Sequence, residues 1–273
     1  MAFTQENIWS SFIALILLLP WLTSAAECTQ SDISHLSVSG CTCQKFFTSC
    51  PLTCPLGGGC GQNSNTVKKC DVGCTDDNKD CSTCNLYYGG LCRCIQDGDC
   101  FHDPSTGSWT LLHARTLITT PHLLPGILQL GTDNNGWKLG QIALSTGKVS
   151  SVSAGTLAMN SVTSRTEEQI HIHVCDRPTS VFRQYLDKKN AAHYSQLTAM
   201  DFDQLGFQKN SIQCQALKTK NFDMAKLTSD YLNKLGAGCA KYHVGAGLIT
   251  DKQGYTWGCI TTQGSAEFLF CMN

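Results

Sequence analysis

Polar and β-branched side chains alternate between residues 169 and 174. Gln169, His171 and His173 recur with period two. The positions between them are all β-branched: Ile170, Ile172 and Val174. Because successive side chains of a β-strand point to opposite faces of the sheet, the pattern predicts a strand that turns two imidazoles and a carboxamide toward one cleft. The β-branched side chains on the other face of this strand would hold it against apolar parts of the protein.

Other periodic segments predict helices and further strands. Apolar residues at helical spacing indicate three helices, over residues 136–144, 179–189 and 222–235. Thr179 or Ser180 would cap the second helix, and Gly236 would end the third. Strands are predicted over residues 109–114, 123–130, 157–160, 244–250 and 255–262, the last two as a hairpin. Helices mixed with antiparallel strands in this way are typical of the α+β class.

The first 26 residues have the pattern of a secretory signal. Residues 12–19 are apolar, Pro20 ends that run, and small residues precede a predicted cleavage site after Ala26. We therefore expect a secreted protein whose mature chain begins at Glu27. An uncleaved membrane anchor over residues 8–26 is the alternative, and the polar residues and the proline within that stretch count against it.

The number of cysteines indicates an oxidising compartment, because 18 cysteines in 273 residues are rare in a reducing one without metal. Thirteen lie between Cys28 and Cys100, and five follow: Cys175, Cys214, Cys239, Cys259 and Cys271. Both counts are odd, so complete pairing requires at least one disulfide between the two regions. The sequence leaves the individual pairs open.

Residues 27–103 are predicted to form a cysteine-rich module, and residues 104–273 a second domain. The module has few apolar residues, so disulfides must stabilise it. The turn-rich segment 102–107 marks the boundary. The alternative to disulfides is a zinc site built from two closely spaced pairs: Cys81 with Cys84 and Cys92 with Cys94.

The surroundings of the two histidines resemble the CDP-diacylglycerol pyrophosphatases, a branch of the histidine-triad superfamily. The matching elements are Asn160-Ser161, Arg165-Thr166-Glu167, His171-Ile172-His173, Cys175 and Arg177-Pro178. Weaker similarity extends to residues 109–130 and 242–263, and none reaches the cysteine-rich module. The resemblance implies a histidine-triad-like antiparallel sheet with helices, and a disulfide from Cys94 or Cys100 to Cys175.

The resemblance also implies a reaction. His171 would attack the α-phosphorus of a nucleotide or nucleotide-lipid substrate, and water would hydrolyse the resulting nucleotidyl-histidine. His173 would donate a hydrogen bond or a proton to the phosphate. The implied substrate-binding residues are Asn160, Ser161, Arg165 and Gln169. This chemistry requires no metal ion or cofactor.

Two departures from the family's pattern bear on activity. Val162 stands where the family usually has arginine, and Glu167 stands where it usually has glutamine. A carboxylate repels a phosphate instead of donating to it. The matching residues could also have purely structural roles, because alternating histidines can form a solvated strand face and Arg165 can neutralise Glu167 or Glu168.

Three functions therefore remain open at the level of sequence. The first is the extracellular pyrophosphate hydrolase. The second is a non-catalytic secreted protein whose cysteine-rich module contacts a protein or surface partner. The third is reuse of the same scaffold for another secreted enzymatic reaction, since a fold does not fix a function. With a formal net charge of −1, nothing in the composition suggests nucleic acid as a partner, and we expect none.

We expect the mature protein to begin near Glu27 and to carry few free thiols. Amino-terminal sequencing and intact-mass measurement of the secreted material test this, and no N-glycan mass should appear because the chain has no Asn-x-Ser/Thr sequon. Recovery of a membrane-bound species that still begins at Met1 would reject the prediction.

Overall fold

The computed structural model describes residues 25–43, 88–112, 116–122, 124, 126–164, 170–236 and 239–272. The predicted signal segment up to residue 24 and the cysteines from Cys50 to Cys84 lie outside the described residues. In the described part of the chain, no helix combines the length and the apolarity needed to cross a bilayer.

Nine strands of the described residues form one sheet, and every pair of neighbouring strands is antiparallel. In chain order the strands are β1 (Phe101–His102), β2 (Thr110–Leu111), β3 (Leu117–Thr119), β4 (Gly155–Met159), β5 (His171–Asp176), β6 (Thr198–Ala199), β7 (Ile212–Leu217), β8 (Gly245–Thr250) and β9 (Thr256–Thr261). Their order across the sheet is β1-β2-β3-β5-β4-β8-β9-β7-β6. Strand β5, which carries the histidines, is therefore an inner strand between β3 and β4.

Helices lie on both faces of this sheet. The α-helices of the described residues are α1 (Gln30–Ser34), α2 (Tyr88–Asp97), α3 (Asn135–Ser145), α4 (Val181–Leu186), α5 (Met224–Leu235) and α6 (Ala266–Cys271). Helices α3 and α5 pack with Leu157 and Leu248 in one core, whereas α4 and α6 pack with Ala158 and Ile249 in the other. Adjacent residues of β4 and of β8 thus enter opposite cores, as the strand pleat requires.

The predicted helices and the hairpin are confirmed. Ser180 caps α4 by accepting a hydrogen bond from the backbone N–H of Arg183 at 3.2 Å, and Asp223 caps α5. The C-cap of α5 is Gly236, with φ of +66°, a conformation that favours glycine. Strands β8 and β9 form the expected hairpin. The α+β class is confirmed with them.

The predicted strand over residues 123–130 is wrong in its described part. Residues 126–130 form turns, in which Gln129 N–H donates to the carbonyl of Gly126 at 3.1 Å. Ile127 and Leu130 are both buried, and their spacing of three suits a turn instead of a strand. A short apolar run does not distinguish these two structures. The predictions also omitted β7 and α6.

The implied disulfide from Cys94 or Cys100 to Cys175 is wrong. Cys94 pairs with Cys100, whereas Cys175 pairs with Cys271, whose Cα lies 5.3 Å away. The reason is topological, because Cys175 points from β5 toward α6, whose last residue is Cys271. Three further disulfides join Cys28 to Cys41, Cys43 to Cys92 and Cys214 to Cys259. Cys92 and Cys94 are therefore not zinc ligands, and the disulfides indicate an oxidising environment, as expected of an extracellular protein.

Cys239 is also disulfide-bonded, and the four other cysteines that follow residue 104 pair with one another.

Helix α6 is packed tightly against the sheet at Gly247. A Cβ atom built on Gly247 would lie 2.3 Å from the nearest atom of the Phe270 ring, which is fully buried. The Phe270 ring occupies the space that the side chain of any residue other than glycine would need at position 247. Burial of such a ring stabilises the fold by roughly 1.5–3 kcal/mol.

We expect Gly247→Ala to lower the free energy of unfolding by about 1–3 kcal/mol, because the methyl group forces the Phe270 ring to shift. Urea unfolding of the oxidised protein measures this. Gly40→Ala is the matched control, since a Cβ there meets nothing within 4 Å. Equal stability of the two variants would contradict the packing argument.

Candidate functional site

The side chains of β5 point alternately to the two faces of the sheet, as the sequence pattern predicts. Ile172 and Val174 enter the core beneath α3 and α5, while Cys175 enters the other core. His171 and His173 share the face of Cys175. Their rings are in contact, with centroids 4.8 Å apart and planes at 76°. The prediction that both imidazoles lie on one face of an inner strand is therefore confirmed.

Hydrogen bonds to strands on both sides fix the position of the histidines. His171 is opposite Thr119 of β3, and His173 lies between Leu117 of β3 and Ala158 of β4. Because β5 is paired along both edges, its backbone has little freedom to slide or twist. The backbone positions of the two histidines are thus set by the sheet.

Helix α6 covers this face of the sheet. Ser265 caps the helix by accepting from the N–H of Phe268 at 3.2 Å. The disulfide between Cys271 and Cys175 joins the other end of the helix directly to β5. Helix α6 is therefore fixed at both ends, and Glu267 in its first turn is held above the histidines.

Glu267 connects His173 to Asn160. One carboxylate oxygen of Glu267 lies 3.3 Å from Nδ1 of His173. The other oxygen accepts a hydrogen bond from Nδ2 of Asn160 at 3.1 Å. The amide oxygen of Asn160 accepts from the Ser265 hydroxyl at 2.7 Å and from the backbone N–H of Glu267 at 3.0 Å. Asn160 thus fixes both the start of α6 and the carboxylate of Glu267.

Burial determines the charge of His173. Removal from water lowers the pKa of His173 to about 4, so the ring is neutral at pH 7. A neutral imidazole has one N–H group. The Glu267 carboxylate lies next to Nδ1 and can accept a hydrogen bond from it, so Nδ1 carries the proton. The other nitrogen, Nε2, then presents a lone pair. It is buried and has no hydrogen-bond partner among the described residues.

Ser161 belongs to a separate hydrogen-bonded cluster beside Asn160. Ser161 is fully buried, and its hydroxyl lies 2.7 Å from that of Ser164 and 3.2 Å from that of Thr163. Thr163 in turn contacts Nδ1 of His243 at 3.2 Å. Ser161 and His243 are therefore linked through Thr163, although they are far apart in the sequence.

The other residues of the sequence match are placed as follows. Arg165, Glu167 and Gln169 lie outside the described residues. Val162 is buried and presents no polar group. Arg177 follows the last residue of β5, at the end away from His171, and its exposed guanidinium donates to the carbonyl of Asp176 at 2.7 Å. Within the described residues, the structure therefore brings Asn160 together with the two histidines and leaves Arg177 apart from them.

Sequence reasoning missed Glu267. A serine followed two residues later by a glutamate and then by apolar residues is a helix-start signal, so Ser265 and Glu267 do predict the beginning of α6. That signal does not identify the strand over which the helix lies. Only the tertiary structure brings Glu267 into contact with His173.

No protein-family model matches this chain, and none of the curated proteins compared with it is significantly similar. The resemblance to the CDP-diacylglycerol pyrophosphatases therefore depends on the quoted residues alone.

A buried neutral His173 makes stability depend on pH. The pKa of His173 is about 4 in the folded protein, against an ordinary value of 6.5. Between these two values the unfolded chain binds the proton and the folded chain does not, so stability falls as pH decreases from 6.5 to 4. The loss is at most on the order of 3 kcal/mol.

Urea unfolding at intervals from pH 7 to pH 4 tests this expectation by comparing the wild type with His173→Gln. The variant lacks the titrating group, so its stability should fall less steeply over this range. His193→Gln, which replaces an exposed histidine, should follow the wild type. Parallel profiles for the wild type and His173→Gln would show that His173 is not buried in its neutral form.

Proposed function

We propose that this protein is a secreted hydrolase that cleaves the pyrophosphate bond of a nucleotide-lipid or a related nucleotide conjugate through a nucleotidyl-histidine intermediate. The observation that carries the proposal is the pair of contacting imidazoles on β5, one of which is oriented by a carboxylate. A nucleophile beside a base, with a third group that orients the base, is the arrangement that covalent catalysis requires.

In the first step, a ring nitrogen of His171 attacks the α-phosphorus. The bond between that phosphorus and the bridging oxygen breaks, and the leaving phosphate carries the bonding electrons away. An incoming phosphate brings negative charge toward His173, and negative charge raises the pKa of a nearby imidazole. His173 can then hold a proton while substrate is bound and deliver it to the leaving oxygen.

In the second step, water attacks the phosphorus and the bond to His171 breaks. Nε2 of neutral His173 presents the lone pair that accepts the proton of this water. The imidazolium formed in this way lies next to the Glu267 carboxylate, 3.3 Å from Nδ1, which stabilises its positive charge. Glu267 thus acts by positioning and stabilising His173, and Asn160 acts by holding Glu267.

A second candidate function is supported by the burial of the same residues. His171 is only 7 % exposed and Ser161 is fully buried, so substrate has limited access to either side chain. Buried Val162 offers no charge to a phosphate where the family has arginine. These features favour a non-catalytic binding or structural protein that keeps the scaffold, and activity measurements separate the two candidates.

We expect the purified oxidised protein to release CMP from CDP-diacylglycerol and His171→Ala to release none, because the nucleophile is lost. His173→Ala should be slower by about 10²–10⁴-fold, the effect of losing an acid-base group. Substrate labelled at the α-phosphorus should transfer an acid-labile label to the wild type and to His173→Ala, but not to His171→Ala.

Glu267→Gln and an exposed matched control, Asp230→Asn, distinguish positioning from general destabilisation. Glu267→Gln should lower turnover and change the pH dependence of the rate, since His173 loses its charged partner. Asp230 is exposed and pairs with Lys226 on the surface of α5, so its variant should behave as the wild type. Equal CMP release by the wild type and His171→Ala, or none by either across several nucleotide substrates, would reject the hydrolase and leave the binding protein.

A further inference from the structure

A cavity of about 310 Å³ lies on the opposite face of the sheet from the histidines. Leu144 of α3, Leu157 of β4 and Leu248 of β8 line its interior, and Val152 lies beside them. All four side chains are aliphatic, so this part of the cavity is apolar. It suits a hydrocarbon chain.

Two lysines lie at the cavity's edge. Lys218 and Lys220 both belong to its lining and are exposed. Among the described residues, no Asp or Glu lines the cavity and neither ammonium group lies within ion-pair distance of a carboxylate. The ammonium group of Lys218 lies 5.8 Å from the centre of the Tyr255 ring. The mouth of the cavity therefore carries two positively charged side chains.

Two uncharged polar residues of the wall, Gln141 and Thr256, take part in structural hydrogen bonds. The amide nitrogen of Gln141 donates to the carbonyls of Trp137 and Phe222, and its amide oxygen accepts from the N–H of Phe222 at 2.7 Å. The Thr256 hydroxyl donates to the carbonyl of Thr219 at 2.6 Å. These bonds hold the loop that carries the two lysines against α3 and β9. The two lysines remain as the charged groups available to a ligand.

We propose that this cavity binds a single-chain fatty carboxylate, with the chain among the leucines and the carboxylate at Lys218 and Lys220. The volume lies at the lower end of the roughly 300–1,000 Å³ that is usual for small-molecule sites, which favours one chain over two. An apolar interior with a few charged groups at the mouth gives such a ligand both affinity and orientation. Because Leu157 faces the cavity and Ala158 faces the histidine side, the site is separate from the proposed catalytic one.

Isothermal titration of the full-length oxidised protein with dodecanoate tests the proposal. We expect saturable binding of one molecule per chain. The double variant Lys218→Gln/Lys220→Gln should weaken binding by about fivefold to tenfold, the effect of two solvent-screened ion pairs. Lys188→Gln on the other side of the sheet is the matched control and should bind as the wild type does. Dodecanol should bind equally well to the wild type and to the double variant.

Val152→Trp tests the location, because the larger ring would fill the cavity and abolish binding while thermal unfolding reports whether the fold is kept. His171→Ala should bind dodecanoate unchanged, so loss of the hydrolase would not affect this result. Absence of saturable dodecanoate binding to the wild type would overturn the proposal. Equal affinities of the wild type and the double lysine variant would overturn it as well.

Discussion

The packing of α6 over β5 is the interaction on which the arrangement of the site depends. Helices cover both faces of the sheet, and β4, β8 and β9 are accordingly buried along almost their whole length. Strand β5 differs from these strands at His171 and His173, because these residues place two polar rings on a face of the sheet that α6 covers. Buried polar groups are costly unless they are hydrogen-bonded, so the helix must supply a partner.

Glu267 supplies that partner for only one of the nitrogens of His173. Nδ1 contacts the carboxylate, whereas Nε2 is buried without a hydrogen bond to any residue that the structure describes. A buried nitrogen without a hydrogen bond lowers the stability of the fold. Exceptions to the rule that buried polar groups are hydrogen-bonded are most often found at functional sites. The same burial that lowers the pKa of His173 leaves a lone pair available to a reacting proton, so the unfavourable feature is the one the proposed chemistry uses.

Disulfides stabilise two separate parts of the described chain. Cys175 lies on β5 two residues after His173, and its bond to Cys271 keeps α6 over the histidines. The described residues near the N-terminus have a small core of their own around Ile33, Val38 and Leu91, reinforced by the bond from Cys43 to Cys92. Disulfides of this kind stabilise small cores that bury few apolar side chains.

The sequence by itself determined the local structure of this protein. The alternation at β5, the capped helices and the hairpin of β8 and β9 are all local periodicities, and the structure confirms them. Strand β7 carries the same kind of signal, since Ile212, Cys214 and Ala216 alternate with polar residues, although it was not predicted. The short run at residues 126–130 failed because three or four apolar residues fit a turn as well as a strand.

Only the tertiary structure decided which distant residues meet. Asn160 and Glu267 are 107 residues apart, and Cys175 pairs with Cys271, 96 residues away, instead of with the cysteine that the resemblance implied. These contacts follow from the strand order β5-β4-β8-β9 and from the return of the chain over that face after β9. The periodicity of a sequence indicates to which side of its strand or helix a residue points. It does not indicate which other strand or helix covers that residue, because that depends on the packing of the whole chain.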